Sequence, residues 1–512
     1  MKILNTDQIR ALDAQTIKKE PISSIDLMER ASQTFVDWFV DQFPKWKNQI
    51  CIICGPGNNG GDGLAIARLL FEKDYLIMVL ICEISDHFSD DFLINLERIK
   101  KLESLPIEQL NLEDKHPSFE TGTMIIDAIF GSGLNRSISG KLGEYITYLN
   151  EQNVFRIAVD VPSGLFSERH SNGVVFNANY TFSFEFPKLS FVFPEYQNHV
   201  GEWFFQSINL DTQFIQEAKT TNYFIDNQSV KAILKNRKKY DHKGTFGHAL
   251  IVCGSYGKVG AAILAGKACL RSGAGLVTIH SPKCAYNILQ ISFPEAMVSI
   301  DDHEFCISNV AEISSYKSIG IGCGIGTDEL TQKALNKLLD TINKQSKKKK
   351  EINPLLVLDA DALNILSENK NWLKKLPKGS ILTPHPKEFE RLFGKFENDF
   401  QRNEHQRKIA QKFGIYLVLK GANTSIACPN GNCYFNSTGN PGMATGGSGD
   451  VLTGILTGFL AQGYSAFQAC ILGIYLHGLA GDIASESTQQ EALLSSDIIN
   501  HMGQAFKAIR KN

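Results

Sequence analysis

Short apolar runs recur along this chain, most of them followed by a glycine turn and a stretch with helical spacing. Ile50–Cys54 reads as a strand, with a glycine loop after it and a helix over 64–72. Residues 76–81, 124–127 and 157–160 read as further strands, the last two closing on aspartates. The pattern lapses over 210–230, where a linker is expected, and then restarts. Strands are predicted at 248–253, 276–280, 319–321, Leu355–Leu358, 381–383 and Tyr416–Leu419. Asn430-Gly431 predicts a hairpin between 426–428 and Cys433–Phe435. Strands this apolar, alternating with helices, fit a parallel sheet covered on both faces. At 512 residues the chain exceeds one ordinary domain. The expected fold class is α/β with two domains, 1–215 and 216–512, the first a Rossmann-like doubly wound sheet.

Hydrophobic residues make up 43% of the chain, enough for sizeable cores, and the net charge of −2 argues against a nucleic-acid or anionic-membrane partner. The eleven cysteines lack regular spacing. Cys51 and Cys54 form a C-x-x-C inside an apolar strand with no second pair nearby, so buried reduced thiols in a cytoplasmic protein are expected. The first residues, Met1 to Asp7, carry no signal-peptide core. The uncharged stretch 451–481 is dotted with glycine, serine, threonine and His477, and reads as two buried helices. Lys347 to Lys350 reads as a solvated loop.

Two constellations carry chemistry. In the first half, Gly55-Pro56-Gly57-Asn58-Asn59-Gly60-Gly61-Asp62-Gly63 joins a strand to a helix. Asn58, Asn59 and Asp62 add oxygens where a plain dinucleotide fingerprint needs only backbone, which suits a ligand or cation grip. Asp127 and Asp160 close two more strands, and ligands of doubly wound sheets bind outside such ends. Three carboxylates brought together require a proton or a cation among them. Taken singly, each aspartate can also be read as a helix N-cap, a reading that three at equivalent topological positions weaken.

In the second half, Gly446-Gly447-Ser448-Gly449-Asp450 opens an apolar helix. Free N–H groups and the helix dipole make such an end an anion site. An aspartate there makes sense as the base that takes a proton from a hydroxyl about to meet a phosphoryl group. Gly260-Ala261-Ala262 lets a ligand approach the backbone, and Gly322-Cys323-Gly324-Ile325-Gly326 follows a strand. His385 lies between two prolines, and Lys420-Gly421-Ala422-Asn423-Thr424 follows a strand in a form suited to a nucleotide phosphate. Asp359 is open between orienting a magnesium-bound water and capping the next helix.

The run Asn58 to Gly63, the segment Asp127-Ala128-Ile129-Phe130-Gly131 and the segment Val159 to Gly164 resemble the NAD(P)H-hydrate epimerase family over residues 1–210. That resemblance implies a potassium ion on Asn59, Asp127 and Ser163. It implies a hydrated nicotinamide nucleotide held by Asn58, Asn59, Gly60, Gly61 and Asp62, by Gly131, Ser132, Gly133, Leu134, Asn135 and Arg136, and by Asp160. Asp160 is the candidate acid/base group; Lys188 also matches a family position, its role open between substrate charge and structure. Residues 225–508 resemble the ribokinase-like NAD(P)H-hydrate dehydratases through Gly446 to Asp450, His385 and the run Lys420 to Thr424. This implies a ribokinase-like α/β sandwich, hydrate contacts from Ala261, Gly324, His385 and Asp450, and adenine-nucleotide contacts from Lys420, Gly421, Ala422, Asn423, Thr424 and Gly449. Asp450 is the expected general base, with Mg²⁺ as cofactor. A bacterial-style fusion of both domains favours ADP over ATP as co-substrate, and such folds commonly form homo-oligomers. The implied activity is repair of hydrated NADH and NADPH: an epimerase converts the R hydrate to the S hydrate, and a dehydratase restores the cofactor, giving AMP and phosphate. The competing readings are a small-molecule kinase with an accessory domain, and an N-terminal half that only binds.

Overall fold

The computed structural model describes residues 1–310, 312–346 and 354–511; the lysine run 347–350 lies outside them. The chain divides into two compact units, one of residues 2–220 with 398–400, the other of 221–397 and 401–512 with Met1.

The first unit holds a seven-stranded sheet. Its strands are β1 Ile50–Cys54, β2 Ile77–Cys82, β3 Ile107–Leu110, β4 Met124–Ala128, β5 Phe155–Val159, β6 Tyr180–Phe184 and β7 Glu202–Gln206. They lie in the order β3-β2-β1-β4-β5-β6-β7, all pairs parallel. The chain reverses direction across the sheet between β1 and β4, which is where doubly wound folds open a ligand crevice. β1 shows why its sequence is uninterrupted apolar. Ile50, Ile52 and Cys54 enter the core on one face, Cys51 and Ile53 the core on the other.

The second unit holds ten strands: β8 Asn222–Phe224, β9 His248–Val252, β10 Leu276–Ser281, β11 Met297–Ile300, β12 Ser318–Ile321, β13 Leu355–Leu358, β14 Ile381–Leu382, β15 Tyr416–Leu419, β16 Ser425–Ala427 and β17 Cys433–Phe435. Their order is β11-β10-β9-β12-β13-β14-β15-β16-β17-β8. β11 to β15 run parallel, and β16 and β17 form the antiparallel hairpin expected around Asn430-Gly431.

Two expectations need correction. The segment 210–230 is not a bare linker: it holds helix Thr212–Glu217 and strand β8, which pairs with β17. Three residues are too few for period-2 alternation to show. The helix after β1 spans Asn58–Phe71 rather than 64–72, so the asparagine–glycine run is its first turns and not a loop. Tertiary packing overrides the low helix propensity of those glycines. A Cβ on Gly60 would overlap the Gly55 carbonyl, and one on Gly63 would lie 2.6 Å from the Ala128 Cβ.

The stretch 451–481 forms parts of helices Ser448–Ala461 and Ala466–Thr488. The second is long and apolar enough to cross a membrane, but two-thirds of its most apolar window is buried within the protein. The first crosses helix Val259–Arg271 closely. A Cβ on Gly454 would overlap the Ala265 carbonyl, and one on Gly458 the Ser272 hydroxyl. Gly454→Val is therefore expected to overpack this crossing. It should cost about 2–3 kcal/mol, read as a lower urea midpoint for the C-terminal unit; an unchanged midpoint contradicts the close crossing.

Candidate active sites

In the N-terminal unit, the turns that follow β1, β4 and β5 supply the polar groups. Asn59 lies in the first turn of helix Asn58–Phe71, and its Oδ1 faces Gly131, where a Cβ would sit 2.8 Å away. The same Cβ would lie 3.0 Å from Asp160 Oδ2, so only glycine lets these two side chains share the loop. Asp160 has φ +63°, a left-handed conformation that costs a non-glycine residue about 1–2 kcal/mol. Its carboxylate accepts from Ser132 N at 3.0 Å and Ser183 Oγ at 3.2 Å. It also pairs with Lys188 Nζ at 2.9 Å, a lysine whose side chain is 1% exposed. Lys188 Nζ in turn donates to the Phe184 carbonyl at 2.9 Å.

This lysine answers the electrostatic question raised by the sequence. Burial alone would raise the Asp160 carboxyl; the charge and hydrogen bond of Lys188, with the Ser132 N–H, reverse that and hold it below its usual range. Asp62 goes the other way. Burial, then the charges of Asp160, Asp13 and Asp91, lift it well above the carboxylate range. The two carboxyls of the cluster are thus pushed apart: Lys188 favours the charged form of Asp160, while burial and like charges favour the neutral form of Asp62. Asp127 is not part of this pair. It is fully buried and accepts from Ser163 N at 2.7 Å, Ser163 Oγ at 2.7 Å and Ile129 N at 3.1 Å. Burial raises it to about 6 against those hydrogen bonds. Ser163 Oγ accepts from Phe130 N at 2.9 Å, which ties Asp127 to the loop carrying Gly131. Gly133, Asn135 and Arg136 lie exposed on that loop, with Leu134 partly covered.

The structure adds Asp13, which sequence reasoning missed. Helix Thr6–Lys19 places Thr6, Arg10 and Asp13 along one face at i, i+4 and i+7. Thr6 Oγ1 donates to the Ser132 carbonyl at 3.3 Å and Arg10 Nη2 to that of Gly133 at 3.4 Å. Asp13 follows, partly buried, beside Lys188, Asp160 and Glu185. No local pattern marks it, because its partners lie more than a hundred residues away.

In the C-terminal unit, Gly447 takes φ +92° and helix Ser448–Ala461 starts behind it. The N-terminus faces a second pair, the half-buried Lys420 and the buried Asp359. Lys420 Nζ donates to Asp359 Oδ1 at 2.8 Å, and Thr453 Oγ1 to Asp359 Oδ2 at 2.9 Å. A Cβ on Gly449 would stand 3.4 Å from both Lys420 Nζ and Asp359 Oδ2. Burial opposes the Lys420 charge, but Asp359 and Glu388 outweigh it and raise the ammonium above its usual range. Asp359 also caps helix Ala360–Glu368 through Ala360 N at 2.8 Å, so both its oxygens are taken by protein donors. Asp450 is raised: burial dominates, Asp359 and Asp361 add repulsion, and a hydrogen bond from the Cys323 thiol and the Lys420 charge oppose it. A carboxylate moved toward neutrality is the better proton acceptor. His477, driven to about 4 mainly by burial, stays neutral and donates Nε2–H to the Ser448 carbonyl at 3.1 Å.

His385 is the N-cap of helix Pro386–Phe393. Its Nδ1 accepts from Lys387 N at 3.1 Å and Glu388 N at 3.4 Å, and Glu388 Oε2 accepts from His385 N at 2.8 Å. This fixes the tautomer with the proton on Nε2, which lies 3.5 Å from Glu388 Oε1 on a side chain that is 42% exposed. Gly324, at φ +65°, and Ala261 come together: a Cβ on the former would lie 3.2 Å from that of the latter. Gly421, Ala422, Asn423 and Thr424 form a turn closed by Gly421 N to Thr424 Oγ1 at 3.2 Å, with Gly421 and Ala422 exposed. All eleven cysteines are free, and burial lifts the Cys51 thiol to about 12 and the Cys54 thiol well above its usual range, which leaves the C-x-x-C inert.

Two family models match the chain, "YjeF-related protein N-terminus" over residues 24–190 and "NAD(P)H-hydrate dehydratase" over 249–503. The bifunctional NAD(P)H-hydrate repair enzyme of Moorella thermoacetica is 32% identical, the alignment covering 98% of this chain and 96% of that protein. This chain belongs to the bifunctional NAD(P)H-hydrate repair enzymes. The enzyme of the same name from Coxiella burnetii is 32% identical over 97% of both chains, and that of Escherichia coli 30% identical over 96% and 92%. Among solved structures, the ADP/ATP-dependent NAD(P)H-hydrate dehydratase of Bacillus subtilis, co-crystallised with ATP and Mg²⁺, is 32% identical over 56% of this chain and 98% of its own, with a TM-score of 0.48.

The Asp13 environment has a measurable consequence for stability. Burial raises this carboxyl to about 6, Lys188 opposing and Asp160 and Glu185 adding to the rise. The native state then holds the proton more tightly than the unfolded chain, so ionisation costs stability as pH rises through that range. Asp13→Asn should raise the unfolding midpoint of the N-terminal unit by about 2–4 °C at pH 7.5. The gain should shrink as pH falls toward 4; a gain independent of pH contradicts this environment.

Proposed function

We propose that the two units perform successive steps in the repair of hydrated NADH and NADPH. Residues 1–215 epimerise the R hydrate to the S hydrate, and residues 216–512 dehydrate the S hydrate at the expense of ADP, giving AMP and phosphate. The observation that carries this reading is the pairing, in a chain of this family, of an ionised Asp160 held by Lys188 with a raised Asp450 at a helix N-terminus.

Epimerisation inverts the carbon bearing the added hydroxyl, by ring opening or by reversible loss of water. Either route moves a proton on and off that hydroxyl. Asp160, ionised and aimed at the loop Gly131 to Arg136, is the base beside it. Asn58, Asn59, Gly60, Gly61 and Asp62 form the opposite rim and hold the nucleotide at the helix N-terminus. Potassium is assigned to Asn59, Asp127 and Ser163. Asn59 Nδ2 is buried with no hydrogen-bond partner, as suits an amide that can turn its oxygen to a bound ion. A carboxylate, an amide and a hydroxyl are hard donors with one negative charge among them, which fits a monovalent cation.

In the second step Asp450 takes the proton of the ring hydroxyl as that oxygen attacks the terminal phosphoryl group of ADP. The phosphoester formed turns a poor leaving group into phosphate; the ring nitrogen's lone pair drives its departure, and the neighbouring ring carbon then loses a proton to restore the double bond of the reduced cofactor. Lys420, Gly449 and the N–H groups of the helix start face the charge on the transferring group. Lys420, Gly421, Ala422, Asn423 and Thr424 bind the nucleotide, and Ala261, Gly324 and the His385 Nε2–H position the hydrate. Magnesium would arrive with the ADP phosphates and neutralise their charge. Eleven free thiols suit a reducing, cytoplasmic setting for this work.

Asp450→Asn should lower ADP-dependent dehydration of the S hydrate by at least about a thousandfold while ADP binding by calorimetry stays within a few fold. Near-normal turnover in that variant, or accumulation of a stable phosphoester by the wild-type chain, contradicts the proposal.

A further inference from the structure

After β11 the chain turns through residues 301–310, and this turn is held unusually firmly for a surface loop. The buried Asp301 carboxylate accepts from the N–H groups of His303 at 2.8 Å, Ser308 at 2.8 Å and Asn309 at 3.0 Å, and from the Ser308 hydroxyl. His280 Nε2 lies 3.3 Å from it on the neighbouring strand. The His303 and Glu304 carbonyls accept from Lys283 N and Cys284 N. What this frame presents is Phe305, 51% exposed. Beside it, on the turn after β9, stands Tyr256, 72% exposed, whose N–H donates to the Phe305 carbonyl at 3.0 Å. The two rings meet edge to face with centroids 5.2 Å apart. Single exposed aromatics are ordinary. A pair locked together on a braced loop at the carboxyl edge of a parallel sheet is a surface prepared to bind something flat.

Strand order tells what that is. Lys420 follows β15, Asp359 follows β13, Tyr256 follows β9 and Phe305 follows β11. At about 4.8 Å per strand, the ends of β9 and β11 lie on the order of 10 and 19 Å across the sheet from the end of β13, on the side away from Lys420, and the turns that follow them bring Tyr256 and Phe305 together. ADP occupies the Lys420 side in the dehydratase reading above, on which this inference rests. Between the aromatic pair and Asp450 lie Gly324, whose carbonyl accepts from Ser255 Oγ at 2.8 Å, and Ala261. A dinucleotide with its hydrated ring at Asp450 and its chain passing Gly324 would bring its purine to this pair. We propose that Tyr256 and Phe305 stack the adenine of the hydrated dinucleotide, and so determine its affinity without touching the reacting ring.

The test uses the full-length protein and two S hydrates, that of NADH and that of reduced nicotinamide mononucleotide, which lacks the adenosine half. Loss of one stacking ring is worth roughly a factor of ten. Phe305→Ala and Tyr256→Ala should each raise KM for the dinucleotide hydrate by about that factor, leave kcat within twofold, and leave KM for the mononucleotide hydrate and for ADP unchanged. Tyr256→Phe should retain wild-type KM. Equal effects on both hydrates, or a raised KM for ADP, overturn the proposal. So does a change of oligomeric state with KM unaltered, which would assign the pair to a second copy of the chain. Wild-type protein inert toward both hydrates would instead remove the dehydratase reading itself.

Discussion

Each unit sets one largely buried aspartate–lysine pair at the carboxyl edge of its parallel strands: Asp160 with the buried Lys188, and the buried Asp359 with Lys420. Such pairs are poor investments for stability, because removing two charges from water costs several kcal/mol per ion before their attraction returns any of it. Replacing them with apolar side chains would serve folding as well. Their retention is intelligible as electrostatic placement. In the first unit the lysine holds the Asp160 carboxyl below its usual range while burial raises that of Asp62. In the second, the pair sets a cation 3.4 Å from where a Gly449 side chain would begin, while its carboxylate partner adds to the rise of Asp450.

Glycine makes both placements possible, through close approach more than through flexibility. The helix after β1 begins at Asn58, and its Gly60 and Gly63 let it descend onto the sheet until its first turn reaches the Gly131 loop. Helix Ser448–Ala461, which carries Asp450 in its first turn, uses Gly454 and Gly458 to press against its neighbour. Helix N-termini, strand ends and buried lysines therefore form one mechanical system in each unit.

Much of this was legible in the sequence, for identifiable reasons. Strands such as Ile50–Cys54 and Leu355–Leu358 are buried on both faces, so unbroken apolar runs mark them cleanly. Asp160 and Asp450 stood out because each interrupts a pattern at a topologically meaningful place. The glycine-rich start of helix Asn58–Phe71 has the sequence of a loop, because local propensity opposes the packing that forms it. β8 was invisible because three residues carry no period. Asp13, and the pairing of Lys188 with Asp160, were out of reach of local pattern, since each is defined by groups distant along the chain. His385 shows a mixed outcome: the rigid Pro-His-Pro turn was visible, but its role as N-cap appears only with the backbone N–H groups in place.

The central claim is that one chain carries two separable chemistries, inversion at Asp160 and activation of the leaving hydroxyl at Asp450. The most direct test gives full-length Asp160→Asn and Asp450→Asn variants the pure R or S hydrate of NADH with ADP and Mg²⁺. Initial rates of reduced-nicotinamide absorbance and chromatographic R-to-S conversion are then followed. The account predicts that Asp160→Asn restores NADH from the S hydrate at the wild-type rate but fails to invert the R hydrate, and that Asp450→Asn inverts normally yet restores no NADH from either. Loss of both activities in either folded variant, or inversion unaffected by Asp160→Asn, would contradict it.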